Sequence, residues 1–152
     1  MMTGTPPRQR FNILLLEDNP ADIYLLRQAL KNAGVDVELT VIEDGAEGLA
    51  FARRQGKYAG SVIPDLGVLD LNLPKGGGES VLRAMRQSND LDRVPVVIMS
   101  SSSAPSEQAN IKDLGVEQFI RKPADLEAFL QIGYVLKEVL LKRAPPHPTP
   151  SL

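Results

Sequence analysis

The chain has 152 residues, 43% of them apolar, with a formal net charge of −2 and no cysteine. That length suits one domain with a sizeable core, and the weak charge excludes a general basic field for nucleic acid or an acidic membrane surface. Zero cysteines exclude disulfides and thiolate metal sites and fit a reducing compartment. No apolar run approaches the ~18 residues of a membrane span, and Met1 to Arg10 lacks a signal-peptide core, so a soluble cytoplasmic protein is expected.

Residues 1–9 are polar and proline-bearing and read as a flexible segment before a single domain over 10–143. Phe11 to Leu16 reads as a buried first strand. Asn19-Pro20 opens a helix: Asn caps, Pro fits the first turn, and Asp22 complements the dipole. Ile23, Leu26 and Leu30 recur at helical spacing, and Gly34 ends the segment. Val37 to Ile42 alternates as a second strand, and Asp44-Gly45-Ala46-Glu47 resembles a capping box before a short helix.

Gln55 to Ser61 reads as a polar loop, after which a third strand ends at Asp70. Pro74-Lys75-Gly76-Gly77-Gly78 turns into a helix carrying Val81, Leu82 and Met85. Val94 to Met99 is a fourth strand, followed by a serine loop and a helix to about Asp113. Val116 to Ile120 is the fifth strand, and Lys122-Pro123 leads into a last helix, Asp125 to Arg143. Residues 144–152 hold four prolines and read as a disordered tail. Strands alternating five times with helices, three of them apolar throughout, predict an α/β fold with a parallel sheet covered on both faces.

Such a sheet gathers the carboxyl ends of its strands along one edge. Glu17-Asp18, Asp70, Ser100 and Lys122 all fall there. Crowded carboxylates raise one another's pKa unless a cation neutralises them, and oxygen-only ligands favour a hard ion, Mg²⁺ before Ca²⁺. With such an ion on Asp18 and Asp70, one Asp70 oxygen remains free as a nucleophile towards phosphorus. Lys122 then balances the charge of the product and the Ser100 hydroxyl donates to it.

The order of these residues resembles the receiver domain of two-component response regulators, the CheY-like superfamily, over about Phe11 to Arg143. The motifs are Leu-Leu-Leu-Glu17-Asp18-Asn-Pro, Leu69-Asp70-Leu-Asn72-Leu-Pro74, Val-Ile-Met-Ser100-Ser101 and Phe119-Ile-Arg-Lys122-Pro123. The resemblance implies a flavodoxin-like doubly wound (βα)5 domain with strand order 2-1-3-4-5. It implies that Asp70 is the phosphoacceptor and that Glu17 and Asp18 form an acidic Mg²⁺ pocket, Glu17 acting through water. The Asn72 backbone carbonyl would ligate the ion, Ser100 and Lys122 would contact the phosphoryl group, and Ser100 with Phe119 would form the switch. A cis bond between Lys122 and Pro123 is also implied.

The run Glu17-Asp-Asn-Pro-Ala-Asp22 and the long Gln55–Pro64 connection are similar to receivers that partner bacterial phytochromes. The implied partner is therefore a sensor histidine kinase, of phytochrome type by this narrower likeness, with no catalytic role for this chain beyond slow self-dephosphorylation. Ser100 stands where Thr is commoner, and Gly76-Gly77-Gly78 departs from the usual Gly-x-Asp/Gly, which predicts a mobile loop. The chain ends about nine residues after its last helix, so output is expected through an unidentified downstream protein. Much of the apolar surface of that helix reads as core, but it is broader than one face needs, so Phe129, Ile132, Tyr134 and Leu136 also read as a homodimer or output face.

Competing readings are weaker. Asp65 precedes the apolar part of its strand and is expected at the opposite edge. Asp70-x-Asn72 fails as an EF-hand, because Pro74 and Val81 fill ligand positions, and Lys75-Gly-Gly-Gly lacks the phosphate-loop spacing. Ser101 to Ser103 read as loop filler, His147 as a tail residue, and Arg53-Arg54 and Lys142-Arg143 as solvated helix ends. An aspartate-nucleophile phosphatase would want a carboxylate where Asn72 stands, and the intact acidic set argues against a scaffold that works without phosphorylation.

Overall fold

The computed structural model describes residues 10–101 and 105–143. The expectations for segments 1–9 and 144–152, and for Ser102, Ser103 and His147, lie outside these residues. Five strands, β1 (Arg10–Leu16), β2 (Asp36–Ile42), β3 (Leu66–Asp70), β4 (Val96–Ser100) and β5 (Val116–Arg121), form one sheet in the order β2-β1-β3-β4-β5. Every pairing is parallel. The helices are α1 (Pro20–Asn32), α2 (Gly45–Ala52), α3 (Gly78–Gln87), α4 (Pro105–Ile111) and α5 (Leu126–Arg143).

The sheet is central because β3 and β4 are buried at every position and β1 is buried from Ile13 onward. Alternate side chains of a strand face opposite ways, so β1 feeds two cores. Ile13 and Leu15 join Val68, Val97 and Met99 beneath α1 and α5, packed by Leu26, Leu30, Phe129 and Leu136. Leu14 and Leu16 join Leu69 and Ile98 beneath α2 and α3, packed by Phe51, Val81, Leu82 and Met85. The edge strand β2 alternates exposed and half-buried residues.

Local chemistry sets the helix starts. The Asn19 Oδ1 accepts from the backbone N–H of Ala21 at 2.9 Å and of Asp22 at 3.3 Å, and Asp44 Oδ1 accepts from Glu47 N–H at 2.8 Å. Asp65 lies at the far edge as expected, its Oδ2 accepting from Asn12 N–H at 2.8 Å.

Several expectations need correction. The fourth strand starts at Val96 rather than Val94, since Pro95 has no N–H to give the ladder and contributes only its carbonyl, which accepts from Gly67 at 2.9 Å. The fourth helix ends at Ile111 and continues as a 3-10 turn over Lys112–Leu114, closed by Gly115 at φ 71°. The Gln55–Ser61 loop contains a 3-10 turn over Gly56–Tyr58.

The proposed outer face of α5 is also redrawn. Phe129, Ile132 and Leu136 are 2%, 3% and 0% exposed and belong to the core beneath α5. Their spacing of three and four places them on the stripe that faces the sheet, leaving only Tyr134 of the expected four exposed. The outer apolar positions are instead Leu126, Tyr134 and Leu141, which share the opposite side of the helix with half-buried Leu130.

α5 docks on α1 at Gly133, where a Cβ would stand 2.0 Å from the Ala29 carbonyl oxygen. Backbone rather than a flexible side chain occupies that space, so Gly133→Ala should lower the urea unfolding free energy by about 1–3 kcal/mol. Gly60→Ala, with nothing within 4 Å of its Cβ position, should stay within about 0.5 kcal/mol of wild type in the same titration. Equal midpoints for the two variants would contradict the close helix approach.

Candidate functional site

The carboxyl edge of the sheet carries the buried polar residues of the protein's described part: Glu17, Asp70 and Ser100. Each stands at the end of an apolar strand or just after it. Glu17 follows β1 and is held in line by its backbone N–H, which donates to Ile42 O at 3.0 Å. Asp70 and Ser100 are the final residues of β3 and β4. Lys122 follows β5, and its N–H donates to Ser100 O at 2.8 Å, extending the β4–β5 ladder to the base of the lysine side chain.

At the centre is the Lys122 ammonium. Its Nζ lies 2.6 Å from Glu17 Oε1, 2.8 Å from Asp70 Oδ2 and 2.9 Å from Asp22 Oδ2. An ammonium has three protons to donate, and three carboxylates surround it. Burial works to lower the Lys122 pKa, but the hydrogen bonds to Asp70, Glu17 and Asp22 prevail and lift it above the ordinary lysine value. For Glu17 the balance falls the other way. Burial raises its pKa, and donation from Lys122 and from the Asn19 N–H only partly offsets that.

The remaining oxygens are organised by short-range contacts. Glu17 Oε2 accepts from the N–H groups of Asp18 at 3.1 Å and Asn19 at 3.2 Å, which fixes the acidic turn after β1. Asp70 Oδ1 accepts from Asn72 N–H at 2.9 Å. The Asn72 amide nitrogen lies 3.4 Å from Ser100 Oγ, a long contact that joins the turn after β3 to the end of β4. Phe119 is half-buried and packs against the core beneath α2 and α3 rather than entering the acidic cluster.

Gly78, in the run read as a mobile loop, and Gly45, packed against that run, have packing reasons. A Cβ on Gly78 would stand 2.2 Å from the Asp70 carbonyl oxygen, so only glycine lets α3 begin directly over the end of β3. A Cβ on Gly45 would stand 2.2 Å from the Gly76 carbonyl oxygen, and Gly45 N–H donates to Pro74 O at 2.8 Å. The turn after Asp70 is thus clasped against the start of α2.

Sequence reasoning named Glu17, Asp18, Asp70, Asn72, Ser100 and Lys122, and the structure places all six at this edge. It differs on one bond. No cis peptide occurs among the described residues, so Lys122–Pro123 is trans. The trans isomer is the intrinsically favoured form of an X–Pro bond, and with it the lysine side chain reaches all three carboxylates. Sequence reasoning also missed Asp22, which it treated only as an acid complementing the α1 dipole. The available signal was its position in the first turn of the helix that follows Glu17-Asp18 directly.

Glu17, Asp18 and Asp70 each offer an oxygen within 4.8 Å of the others, which makes them a candidate metal centre. All three donors are carboxylates, with Glu17 and Asp70 buried and Asp18 exposed at the rim. That donor set fits a hard divalent cation approached from solvent and retaining part of its water shell. Among the described residues no helix is long and apolar enough to cross a membrane.

Known proteins share both this architecture and much of the sequence. The chain is 39% identical over 124 residues to the response regulator Rcp1 of Synechocystis sp., covering 82% of each chain. It superposes with a TM-score of 0.81 on the phosphorylated cyanobacterial phytochrome response regulator RcpA, at 39% identity over 90% of this chain and 98% of that one. The Mn²⁺-bound form of Rcp1 superposes with a TM-score of 0.79 at 34% identity, over 91% of this chain and 99% of that one. Residues 13–132 match the response regulator receiver domain profile, and the chain belongs to that family of two-component signalling domains.

Proposed function

We propose that Asp70 accepts a phosphoryl group from a phosphohistidine of a sensor histidine kinase, in a reaction that requires Mg²⁺. The observation that carries this reading is the buried Asp70 carboxylate at the end of β3, with the Lys122 ammonium 2.8 Å from one of its oxygens. Attack by an Asp70 oxygen on phosphorus forms an acyl phosphate as the bond from phosphorus to the histidine nitrogen breaks. The leaving nitrogen keeps the electron pair, and Lys122 donates hydrogen bonds to the phosphoryl oxygens without giving up its proton.

Asp18, Asp70, the Asn72 carbonyl and, through water, Glu17 would hold the cation. When bound, Mg²⁺ neutralises charge on the phosphoryl oxygens and on the acidic cluster. The Ser100 hydroxyl donates to the phosphoryl group, and its movement together with Phe119 biases an equilibrium between two arrangements of the surface formed by α4, β5 and α5. Slow hydrolysis of the acyl phosphate resets it. The phytochrome link rests on the likeness to RcpA and Rcp1, the first named as a phytochrome response regulator. Self-association belongs to the same reading, with Leu126, Tyr134 and Leu141 replacing the buried residues first assigned to it. The setting is cytoplasmic, where the kinase domain of such a sensor would be met.

A phosphatase reading is less favoured because the residue two positions after Asp70 is Asn72, whose carboxamide has no titratable proton to relay and whose backbone N–H is bound to Asp70. Incubation with ³²P-labelled acetyl phosphate and Mg²⁺, or with a ³²P-labelled kinase, should give base-labile label on wild type. Asp70→Asn should lower it by about a hundredfold or more. Label retained on that variant would place the acceptor elsewhere.

The metal and the lysine compete for the same carboxylates. Lys122→Met leaves them without their ammonium and should lower unfolding free energy without Mg²⁺ by about 3 kcal/mol, while enlarging the rise in melting temperature that Mg²⁺ produces. Thermal scans with and without 10 mM MgCl₂ would check this, taking ~10 mM as well above the affinity expected of a carboxylate site that retains waters. A Mg²⁺ response of the variant smaller than that of wild type would refute the competition.

A further inference from the structure

We propose that Asp22 is a positioning residue for chemistry at Asp70: from the first turn of α1 it tethers the Lys122 ammonium where the phosphoryl oxygens would come to lie. This rests on the phosphoacceptor reading above and goes beyond it by drawing a helix residue into the site.

Asp22 does not play the usual part of an acid at a helix start. It is the third residue of α1, and an acid there commonly returns to the N–H of the capping residue. That N–H, of Asn19, is already bound to Glu17 Oε2 at 3.2 Å, while the N–H groups of Ala21 and Asp22 are taken by Asn19 Oδ1. The Asp22 carboxylate is left to turn towards the sheet edge, and its Oδ2 accepts from Lys122 Nζ at 2.9 Å. The contact spans 100 positions in sequence and joins the first turn of α1 to the end of β5.

The three acceptors of Lys122 would have different fates on phosphorylation. Asp70 becomes the acyl phosphate, so the N–H that it accepts is released to a phosphoryl oxygen. Glu17 sits in the cluster that the cation would occupy. Asp22 lies outside that cluster of Glu17, Asp18 and Asp70, so its hold on the ammonium can persist through the reaction. A lysine side chain that loses one of its tethers regains rotamer freedom, and a misplacement of roughly 1 Å can cost about a hundredfold in rate. Electrostatics alone acts in the other direction: removing a negative charge near an incoming phosphoryl dianion should quicken transfer. The two effects have opposite signs, so experiment separates them.

The test is loading from acetyl phosphate with saturating Mg²⁺, at a temperature where all variants are folded by circular dichroism. In this reaction an Asp70 oxygen bonds to phosphorus, the phosphorus–oxygen bond to acetate breaks, and acetate leaves with the electron pair. Asp22→Ala should lower the maximal loading rate by about tenfold, with a smaller change in the acetyl phosphate concentration that gives half of it. Asp22→Asn retains a hydrogen-bond acceptor of the same shape and should restore the rate to within about threefold of wild type. A merely structural role would lower stability without this split between rate and half-saturation.

Asp22→Ala loading at the wild-type rate or faster would overturn the proposal, as would Asp22→Asn loading as slowly as Asp22→Ala. If wild type itself takes up no phosphate, the phosphoacceptor reading falls and this proposal falls with it. Wild type loading normally while Asp22→Ala matches it defeats the tether alone.

Discussion

The structure turns on one nearly enclosed cation. The Lys122 ammonium stands within hydrogen-bond distance of Glu17, Asp22 and Asp70, and the lysine side chain is only 11% exposed. A charge withdrawn from water is tolerated only when its donors find acceptors, and here every proton does. The same contact fixes the carboxylates, since Glu17 and Asp70 are 4% and 6% exposed and would repel one another without it. Acids and base are therefore one unit. The apolar strands lead into it, and the turns beyond them hold it in place.

The parallel sheet makes this possible because it points the carboxyl ends of β1, β3, β4 and β5 the same way. Glu17, Asp70, Ser100 and Lys122 are far apart in the chain yet meet at one edge, and α1 adds Asp22 from its first turn. The second strand gives no side chain to the cluster, but the turn after it has a supporting part. Gly45 binds Pro74 O and leaves room for Gly76, which steadies the turn following Asp70. Backbone packing around the turn after Asp70 thus supports the site beside the ion pairs of Lys122.

How much of this could be read from the sequence depended on whether the signal was local. The five strands and their order of polar endings were legible because β3 and β4 are unbroken apolar runs closed by Asp70 and Ser100. Caps at Asn19 and Asp44 were legible for the same reason. What was not legible lies in contacts between segments. The apolar residues of α5 carry no label saying which of them meet the sheet, so Phe129, Ile132 and Leu136 read both as core and as part of a contact face, whereas all three are buried in the core. The glycines after Asp70 suggested freedom, whereas Gly78 is small because Asp70 O stands where a Cβ would go. Asp22 carried a sufficient local explanation as a helix-dipole acid, which hid its ion pair with a lysine 100 positions away.

The charge balance of the edge sets what it can bind. Glu17, Asp22 and Asp70 face the single ammonium of Lys122, and Asp18 adds a further carboxylate, exposed at the rim of the cluster. Such a cluster attracts a divalent cation and resists an anion. A phosphoryl group on Asp70 would add negative charge to a site already in excess of it, and a cation in the acidic cluster would offset that charge. Linkage then works in both directions: the factor by which the cation favours the phosphorylated form is the factor by which phosphorylation tightens the cation. Lys122, held by carboxylates here, would be available to phosphoryl oxygens once a cation took its place among them. A tether to Asp22 would keep it close to both arrangements, so that a residue outside the acidic cluster could govern chemistry within it.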